Sequence, residues 1–140
     1  MSYINKMSLR FSSLNENESF ARLAVASFCS NKLKNIEDIS DIKTVVSEAV
    51  TNCVVHAYAE KQGEIIVNCE VTDEQVKIEV IDNGIGISDI DKARTPFFTT
   101  KPEKERSGMG FTVMEGFVDE MLVESKLGEG TKITLIKKIK

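Results

Sequence analysis

The segment ERSGMGF contains the residue types that bind phosphate. Arg106 and Ser107 precede Gly108, Met109 and Gly110, where the pattern predicts the start of a helix. Backbone amides at a helix N-terminus, unobstructed by side chains, bind phosphate oxygens through hydrogen bonds and the helix dipole. A G-x-G that opens a helix is also a common tight loop, so this segment alone leaves both interpretations open.

A second glycine-rich segment, VIDNGIGI, ends an alternating strand at Asp82 and continues through Gly84 and Gly86. Glycine permits close approach of the backbone and unusual φ angles. An ordinary turn and a nucleotide site both fit this composition. A calcium loop is disfavoured because the further ligand carboxylates are missing. The segment GEGTKI, which contains Thr131, is by itself an ordinary hairpin.

The segment EAVTNCVVHAY spaces Glu48, Asn52 and His56 four residues apart. In an α-helix this spacing puts them on one stripe, and Glu48 and Asn52 fall at the border of the apolar face. Polar residues in such places are commonly solvated, and a lone histidine is commonly a packing residue. Taken alone, the stripe does not establish a site.

The elements that position these segments follow from apolar periodicity. They are predicted as an edge strand at 7–11, helices at 15–30 and 36–59, strands at 64–71 and 75–82, a helix at 108–118, and strands at 121–125 and 131–139. In the first helix, the apolar face is predicted to include Phe20, Leu23 and Phe28. Residues 83–107 have little periodicity, which is typical of a functional lid or a disordered loop. The order predicts an α/β two-layer sandwich, with a mixed, largely antiparallel sheet and helices on one face.

Composition sets the class of protein. A chain of 140 residues with 41% hydrophobic and 29% charged residues is expected to form a single soluble domain, residues 1–140. A net charge of −4 disfavours direct nucleic-acid binding. Short apolar runs predict no membrane span and a cytoplasmic location. Cys29, Cys53 and Cys69 are widely spaced among apolar residues and are predicted to be reduced and in or near the core.

The four segments become specific when their order is considered. The chain contains, in this order, E-x-x-x-N on a helix, D-x-G-x-G after a strand, G-x-G-F opening a helix and G-T before the last strand. This series resembles the N, G1, G2 and G3 boxes of the GHKL ATPase and kinase superfamily, which has the Bergerat fold. The resemblance spans residues 36–139. Within it, TVVSEAVTN, PFFTTKPE, ERSGMGF and NENESFAR resemble the anti-sigma F factor family of spore-forming bacteria. No motif position departs from the pattern.

The resemblance implies ATP and Mg²⁺ as cofactors and assigns roles to the residues. Asp82 would accept a hydrogen bond from the adenine amino group, and Thr131 would assist through a shared water. Asn52 would bind Mg²⁺, and Glu48 would be the catalytic base. The other residues implied to contact the nucleotide are Gly84, Gly86, Thr99, Lys101, Arg106, Ser107, Gly108, Met109 and Gly110, with Arg106 at the γ-phosphate.

The resemblance also implies partners. A homodimer with bound ATP would hold a sporulation sigma factor of the sigma F type, and the anti-anti-sigma factor would be phosphorylated on serine. Arg22 on the first helix resembles a partner contact, although an exposed arginine is commonly only solvated. Two alternatives share the ATP boxes: a detached catalytic domain of a histidine kinase, and an ATP-gated binding module without transferase activity.

Overall fold

The structure, a computed structural model, describes residues 3–58, 62–87, 90–94 and 110–139, and of residues 91 and 92 only the backbone. Its elements in chain order are β1 (Ile4–Ser12), α1 (Asn17–Cys29), α2 (Ile36–Asn52), a π-helical segment (Cys53–Ala57), β2 (Glu64–Thr72), β3 (Gln75–Asp82), α3 (Ile90–Ala93), α4 (Gly110–Phe117), β4 (Glu120–Lys126) and β5 (Gly130–Lys138). Each predicted helix and strand is found, with ends shifted by a few residues.

The five strands form one sheet in the order β1-β2-β3-β5-β4. All four pairings between neighbouring strands are antiparallel. Burial alternates along β3, where Val76, Ile78 and Val80 are buried and the residues between them are partly exposed. This alternation gives the sheet one apolar face and one polar face. The predicted edge position of β1 is confirmed, and the sheet, predicted to be mixed and largely antiparallel, is antiparallel throughout the described strands.

Helices cover the apolar face of the sheet, and the core lies between the two layers. Helix α2 is central because it packs against α1, α4 and β3. Its buried residues recur three and four positions apart: Ile42, Val45, Val46, Ala49 and Val50. Burying an aliphatic side chain of this size contributes about 1.5–3 kcal/mol. The two-layer α/β sandwich is confirmed.

Helix α1 buries a different face from the one predicted. Its buried residues are mostly small: Ala21, Val25, Ala26 and Cys29. Phe20 and Leu23, expected on the apolar face, are 51% and 54% exposed. Small side chains let α1 approach α2 closely, and this packing decides which face is buried. The predicted apolar face was therefore wrong at Phe20 and Leu23.

The long helix predicted at 36–59 changes its hydrogen bonding after Asn52. Cys53–Ala57 is π-helical, and the amide of Tyr58 donates to the carbonyl of Cys53 at 3.2 Å, five residues earlier. A π-helical turn inserts a residue and is frequent at functional sites. The change of pitch thus falls directly after the predicted metal ligand.

Two further observations bear on the predicted class of protein. Cys29, Cys53 and Cys69 are buried and form no disulfide, as predicted. No helix in the described part of the chain has the length and apolar character needed to cross a membrane.

The short helix α3 interrupts the segment 83–107, which was predicted to be irregular, and residues 95–107 of that segment lie outside the described residues.

Candidate nucleotide site

The carboxylate of Asp82 is buried at the end of β3, and it is 5% exposed. Its Oδ1 accepts a hydrogen bond from the amide of Gly84 at 2.9 Å, and its Oδ2 accepts one from the thiol of Cys53 at 3.5 Å. Thr131 lies directly across from Asp82 on β5 and also donates a backbone hydrogen bond to it. Donors from three different elements therefore hold the carboxylate in place.

Burial raises the pKa of Asp82 above its ordinary value, against the lowering effects of the donors from Gly84, Cys53 and Thr131. Burial also raises the pKa of the Cys53 thiol well above its ordinary value, and the negative charge of Asp82 adds to this effect. The thiol therefore stays protonated and remains a donor. The result is a desolvated carboxylate with a defined orientation, which is the chemistry needed to bind a donor group on a ligand.

Glu48 and Asn52 lie one helical turn apart on α2, and both are partly buried, as their predicted border position requires. The Nδ2 atom of Asn52 is buried and has no hydrogen-bond partner. Rotation of the amide exchanges its nitrogen and oxygen, so an oxygen ligand can occupy the same position. Asn52 precedes Cys53, which contacts Asp82. The end of α2 is thus adjacent to the buried carboxylate.

Tyr58 fixes the loop that follows β3. Its hydroxyl accepts a hydrogen bond from the amide of Asn83 at 2.7 Å and donates one to the carbonyl of Glu64 at 2.8 Å. Burial raises the pKa of Tyr58 above its ordinary value, so the hydroxyl remains a donor at neutral pH. In addition, the amide of Ile85 donates to the carbonyl of Ala57 at 3.1 Å. The loop is therefore attached to the end of the helical layer.

The same loop is also attached to the β4–β5 hairpin. Gly86 has φ +77°, and a Cβ added there would collide with the carbonyl of Lys126. The amide of Gly128 donates to the carbonyl of Ile85 at 2.7 Å. Only glycine combines this φ with so close an approach of two backbones. The unusual φ expected of the D-x-G-x-G segment is found at Gly86, where the backbone approaches the β4–β5 hairpin of the protein.

Ser125 joins the loop, the hairpin and β5. Its hydroxyl accepts a hydrogen bond from the amide of Ile87 at 2.7 Å, donates to the carbonyl of Gly130 at 2.9 Å, and lies 2.7 Å from the hydroxyl of Thr131. Sequence reasoning missed Ser125, Cys53 and Tyr58. Ser125 could have been identified, because counting residues outward from the turn between β4 and β5 pairs it with Thr131. No local signal pointed to Cys53.

The remaining predicted site residues divide into two groups. Gly110 is buried at the start of α4. Arg22 is paired with Glu18 at 3.6 Å and donates to the hydroxyl of Ser19 at 3.3 Å. The others lie outside the described residues: Thr99, Lys101, Arg106, Ser107, Gly108 and Met109. The structure therefore brings together the residues that were predicted to contact the adenine ring. The contacts predicted between the other residues and the phosphates stay predictions.

The described residues fit an adenine nucleotide with its metal ion. Asp82 supplies a buried acceptor, and Asn52 supplies an amide whose buried Nδ2 atom has no hydrogen-bond partner. Among the described residues no cluster of three or more metal-ligating side chains occurs. In nucleotide sites Mg²⁺ is typically held by one or two protein oxygens together with phosphates and waters, and the amide oxygen of Asn52 would be one such ligand.

Comparisons of the sequence agree with this chemistry. Residues 11–137 match the family of histidine kinase-like ATPase domains. The anti-sigma F factor of Caldanaerobacter subterraneus subsp. tengcongensis is 53% identical over 139 residues, which are 99% of this chain and 97% of that protein. The anti-sigma F factor of Clostridium acetobutylicum is 52% identical over 134 residues, 96% of this chain and 94% of that protein. That of Pasteuria penetrans is 50% identical, over 96% of this chain and 91% of that protein.

Solved structures agree on the fold. The catalytic domain of the histidine kinase ThkA has a TM-score of 0.59 at 18% identity, covering 95% of this chain and 96% of that one. The kinase domain of a blue-light activated histidine kinase from Erythrobacter litoralis has a TM-score of 0.57 at 20% identity, covering 87% of this chain and 60% of that one. Together with the match over residues 11–137, the near full-length identity shows that this chain belongs to the histidine kinase-like ATPase family and, within it, to the anti-sigma F factors.

Proposed function

We propose that this chain is an ATP-dependent anti-sigma factor, which sequesters a sporulation sigma factor and phosphorylates its anti-anti-sigma antagonist on serine. The ATP dependence is proposed from the carboxylate of Asp82, which is buried beside the end of α2 and accepts hydrogen bonds from three donors. Support for the sigma partner comes from the anti-sigma F factors, which match nearly the whole chain at 50–53% identity. The chain would act as a single domain in the cytoplasm.

Adenine selectivity follows from Asp82. Its carboxylate accepts a hydrogen bond from the exocyclic amino group of adenine, with Thr131 beside it on β5. A hydrogen bond to a buried charged acceptor contributes about 1.5–3 kcal/mol, and a base without the amino group leaves the acceptor unpaired. Gly84 supports the carboxylate through its amide, and Gly86 gives the loop the φ that this arrangement requires.

Phosphoryl transfer depends on α2 and on the segment before α4. Asn52 binds Mg²⁺, and Glu48, one helical turn earlier, accepts the proton of the attacking serine hydroxyl. When bound, Mg²⁺ neutralises charge on the phosphates. Gly108, Met109 and Gly110 offer backbone amides to the phosphates, while Thr99, Lys101, Arg106 and Ser107 supply side chains, with Arg106 at the γ-phosphate.

Self-association is part of the proposal, and the exposed face of α1 supports it. Phe20 and Leu23 are more than half exposed, and the ring of Phe20 packs edge-on against Phe11 of the edge strand β1. Exposed apolar residues that lie close together mark interaction surfaces more often than isolated ones do. Arg22 on α1 is proposed as a contact to the protein partners.

The substitution Asp82→Asn tests the proposed function. The amide can turn a donor toward the adenine amino group, so we expect ATP affinity to fall at least about 10-fold while the protein still folds. Calorimetry measures the binding of Mg-ATP, and gel filtration measures the capture of a purified sporulation sigma factor. ATP binding and sigma-factor capture should weaken together.

Asp73→Asn is the matched control because Asp73 lies in the turn at the opposite end of β3 and is exposed. This variant should bind ATP and the sigma factor as the parent does. ATP affinity that is unchanged in Asp82→Asn would remove Asp82 from the base pocket. A parent protein that captures the sigma factor equally well without ATP would contradict the ATP dependence.

A further inference from the structure

Ser125 lies on β4 directly opposite Thr131 of β5. Thr131 in turn lies opposite Asp82 of β3. The three residues form one row across the sheet, and Thr131 is in the middle of it. Thr131 is 8% exposed and Asp82 is 5% exposed, so both belong to the interior of the site.

One assignment of donors satisfies all three hydrogen-bond contacts of the Ser125 hydroxyl. The carbonyl of Gly130 can only accept, so the single hydroxyl proton of Ser125 goes to it at 2.9 Å. The amide of Ile87 can only donate, and it uses one lone pair of the Ser125 oxygen at 2.7 Å. Either hydroxyl could donate in the contact of 2.7 Å between Ser125 and Thr131, but only donation by Thr131 to the second lone pair keeps the other two hydrogen bonds of Ser125 as well. Ser125 is saturated, with one proton given and two accepted.

This assignment determines what Thr131 offers to a ligand. Its hydroxyl proton is used by Ser125, so only lone pairs remain for the other side. Asp82, next in the row, is a carboxylate and also offers only lone pairs. The two neighbouring side chains therefore both act as acceptors, and neither of them can donate a hydrogen bond directly to a ligand. Such a surface favours an amino group and disfavours a carbonyl oxygen.

We propose that Ser125 is a specificity-determining positioning residue, which holds the Thr131 hydroxyl as an acceptor so that the site prefers a 6-amino purine over a 6-oxo purine. The inference rests on the proposed function, because it takes Asp82 and Thr131 as the groups that face the base. Ser125 itself touches the loop and the hairpin and need not touch the nucleotide. Removing its oxygen frees the Thr131 proton, which then becomes able to donate to a 6-oxo group.

The test compares the binding of Mg-ATP with that of Mg-ITP, which carries an oxo group in place of the 6-amino group. The parent protein should prefer ATP. In Ser125→Ala the ratio of the two affinities should fall at least about 10-fold, the equivalent of one lost hydrogen-bond preference. Ser125→Thr retains a hydroxyl and should restore the parental ratio. Ser8→Ala, which removes a hydroxyl bonded to Asn68 on β2, should leave the ratio unchanged.

If Ser125 had a purely structural role, Ser125→Ala would weaken the binding of ATP and ITP by the same factor. An unchanged ratio of the two affinities in this variant would therefore overturn the inference. If that variant does not fold, Thr131→Val gives the same information, since it removes the oriented hydroxyl and should also lower the ratio. Retention of the parental ratio in Thr131→Val would be equally contradictory. A parent protein that binds neither nucleotide would instead contradict the proposed function, and the inference would fall with it.

Discussion

The chemistry of the base pocket depends on the ionisation of one buried carboxyl group. The side chain of Asp82 is desolvated, which raises its pKa, and hydrogen bonds from Gly84, Cys53 and Thr131 compensate only in part. Cys53 and Tyr58 both interact with Asp82, and their pKa values are also raised. Both stay neutral at physiological pH, so neither adds a second negative charge beside Asp82.

ATP affinity should consequently depend on pH with a defined sign. Above its raised pKa, Asp82 is charged and acts only as an acceptor. As the pH falls through that value, a proton occupies one acceptor position and affinity is lost. Carbon-13 NMR titration of the aspartate carboxyls should give a pKa for Asp82 above the ordinary value of about 3.9. Asp82→Asn identifies the resonance.

Calorimetry should show the loss of ATP affinity over the same pH range as the titration. A pKa at or below the ordinary value, or ATP affinity that does not change across the titration, would contradict this description of the pocket.

At the scale of elements, the loop after β3 and the β4–β5 hairpin form one unit. Their contacts include the backbone bond from Gly128 to Ile85 and the side-chain bond from Ile87 to Ser125. Gly86 lies where the two segments come closest. A change at this contact should affect both the stability of the fold and the geometry of the site.

Two glycine substitutions test this arrangement. Gly86→Ala places a Cβ at φ +77° against the carbonyl of Lys126, so the free energy of unfolding should fall by about 2 kcal/mol or more. Gly116→Ala lies on α4, where an added Cβ meets nothing within 4 Å. Alanine favours the helix, so this variant should be more stable than the parent by up to about 1 kcal/mol.

Urea denaturation measures both changes. Only Gly86→Ala should also weaken ATP binding. If it is as stable as the parent, the loop and hairpin do not approach as closely as described.

The elements also show how far sequence reasoning extends. The strong periodicity of α2 and the alternation of β2 and β3 were sufficient to predict those elements, because local spacing reports directly on burial. The buried face of α1 was not predictable in this way. Packing against α2 selected the small residues Ala21 and Val25 over Phe20 and Leu23. Tertiary contacts decided between two possible faces.

The site was predictable to a similar extent. Asp82 and Thr131 were identified from motifs, and the structure places them opposite each other. Cys53 and Tyr58 support the site through contacts with Asp82 and Asn83, which are distant in sequence, so no local pattern encodes them. Ser125 lies six residues from Thr131 and could have been found from the register of the hairpin. The π-helical turn at Cys53–Ala57 was also unpredicted, since the apolar spacing of 36–59 is compatible with a continuous α-helix.

At the scale of the whole molecule, self-association should depend on the exposed face of α1. Leu23→Glu places a charge on that face, and we expect the dimer to weaken at least about 10-fold. Leu122→Glu is a closely matched control, because Leu122 on the outer edge strand β4 is 55% exposed and Leu23 is 54% exposed. Sedimentation equilibrium measures both. A dimer that is unaffected by Leu23→Glu but weakened by Leu122→Glu would move the interface to the other edge of the sheet.

In the whole protein acting on its partner, a substitution of Glu48 should separate the binding of ATP and sigma factor from phosphoryl transfer. Glu48→Gln preserves the size of the side chain and leaves Asp82 and Asn52 unchanged, so Mg-ATP and the sigma factor should still bind. The amide cannot accept a proton. General-base assistance contributes about 10²–10⁴-fold, and phosphorylation should fall by about that factor. Glu37→Gln, exposed in the first turn of the same helix, should retain the parental rate.

The most direct measurement is the transfer of radiolabel from the γ-phosphate of ATP to a purified anti-anti-sigma factor, followed by identification of the labelled residue. The parent protein should label serine, and Glu48→Gln should bind ATP and the sigma factor but label the antagonist about 10²–10⁴-fold more slowly. Label on histidine would indicate histidine-kinase chemistry, and no label would indicate an ATP-gated binding module. Either result, or a parental rate of serine labelling in Glu48→Gln, would contradict the proposed mechanism.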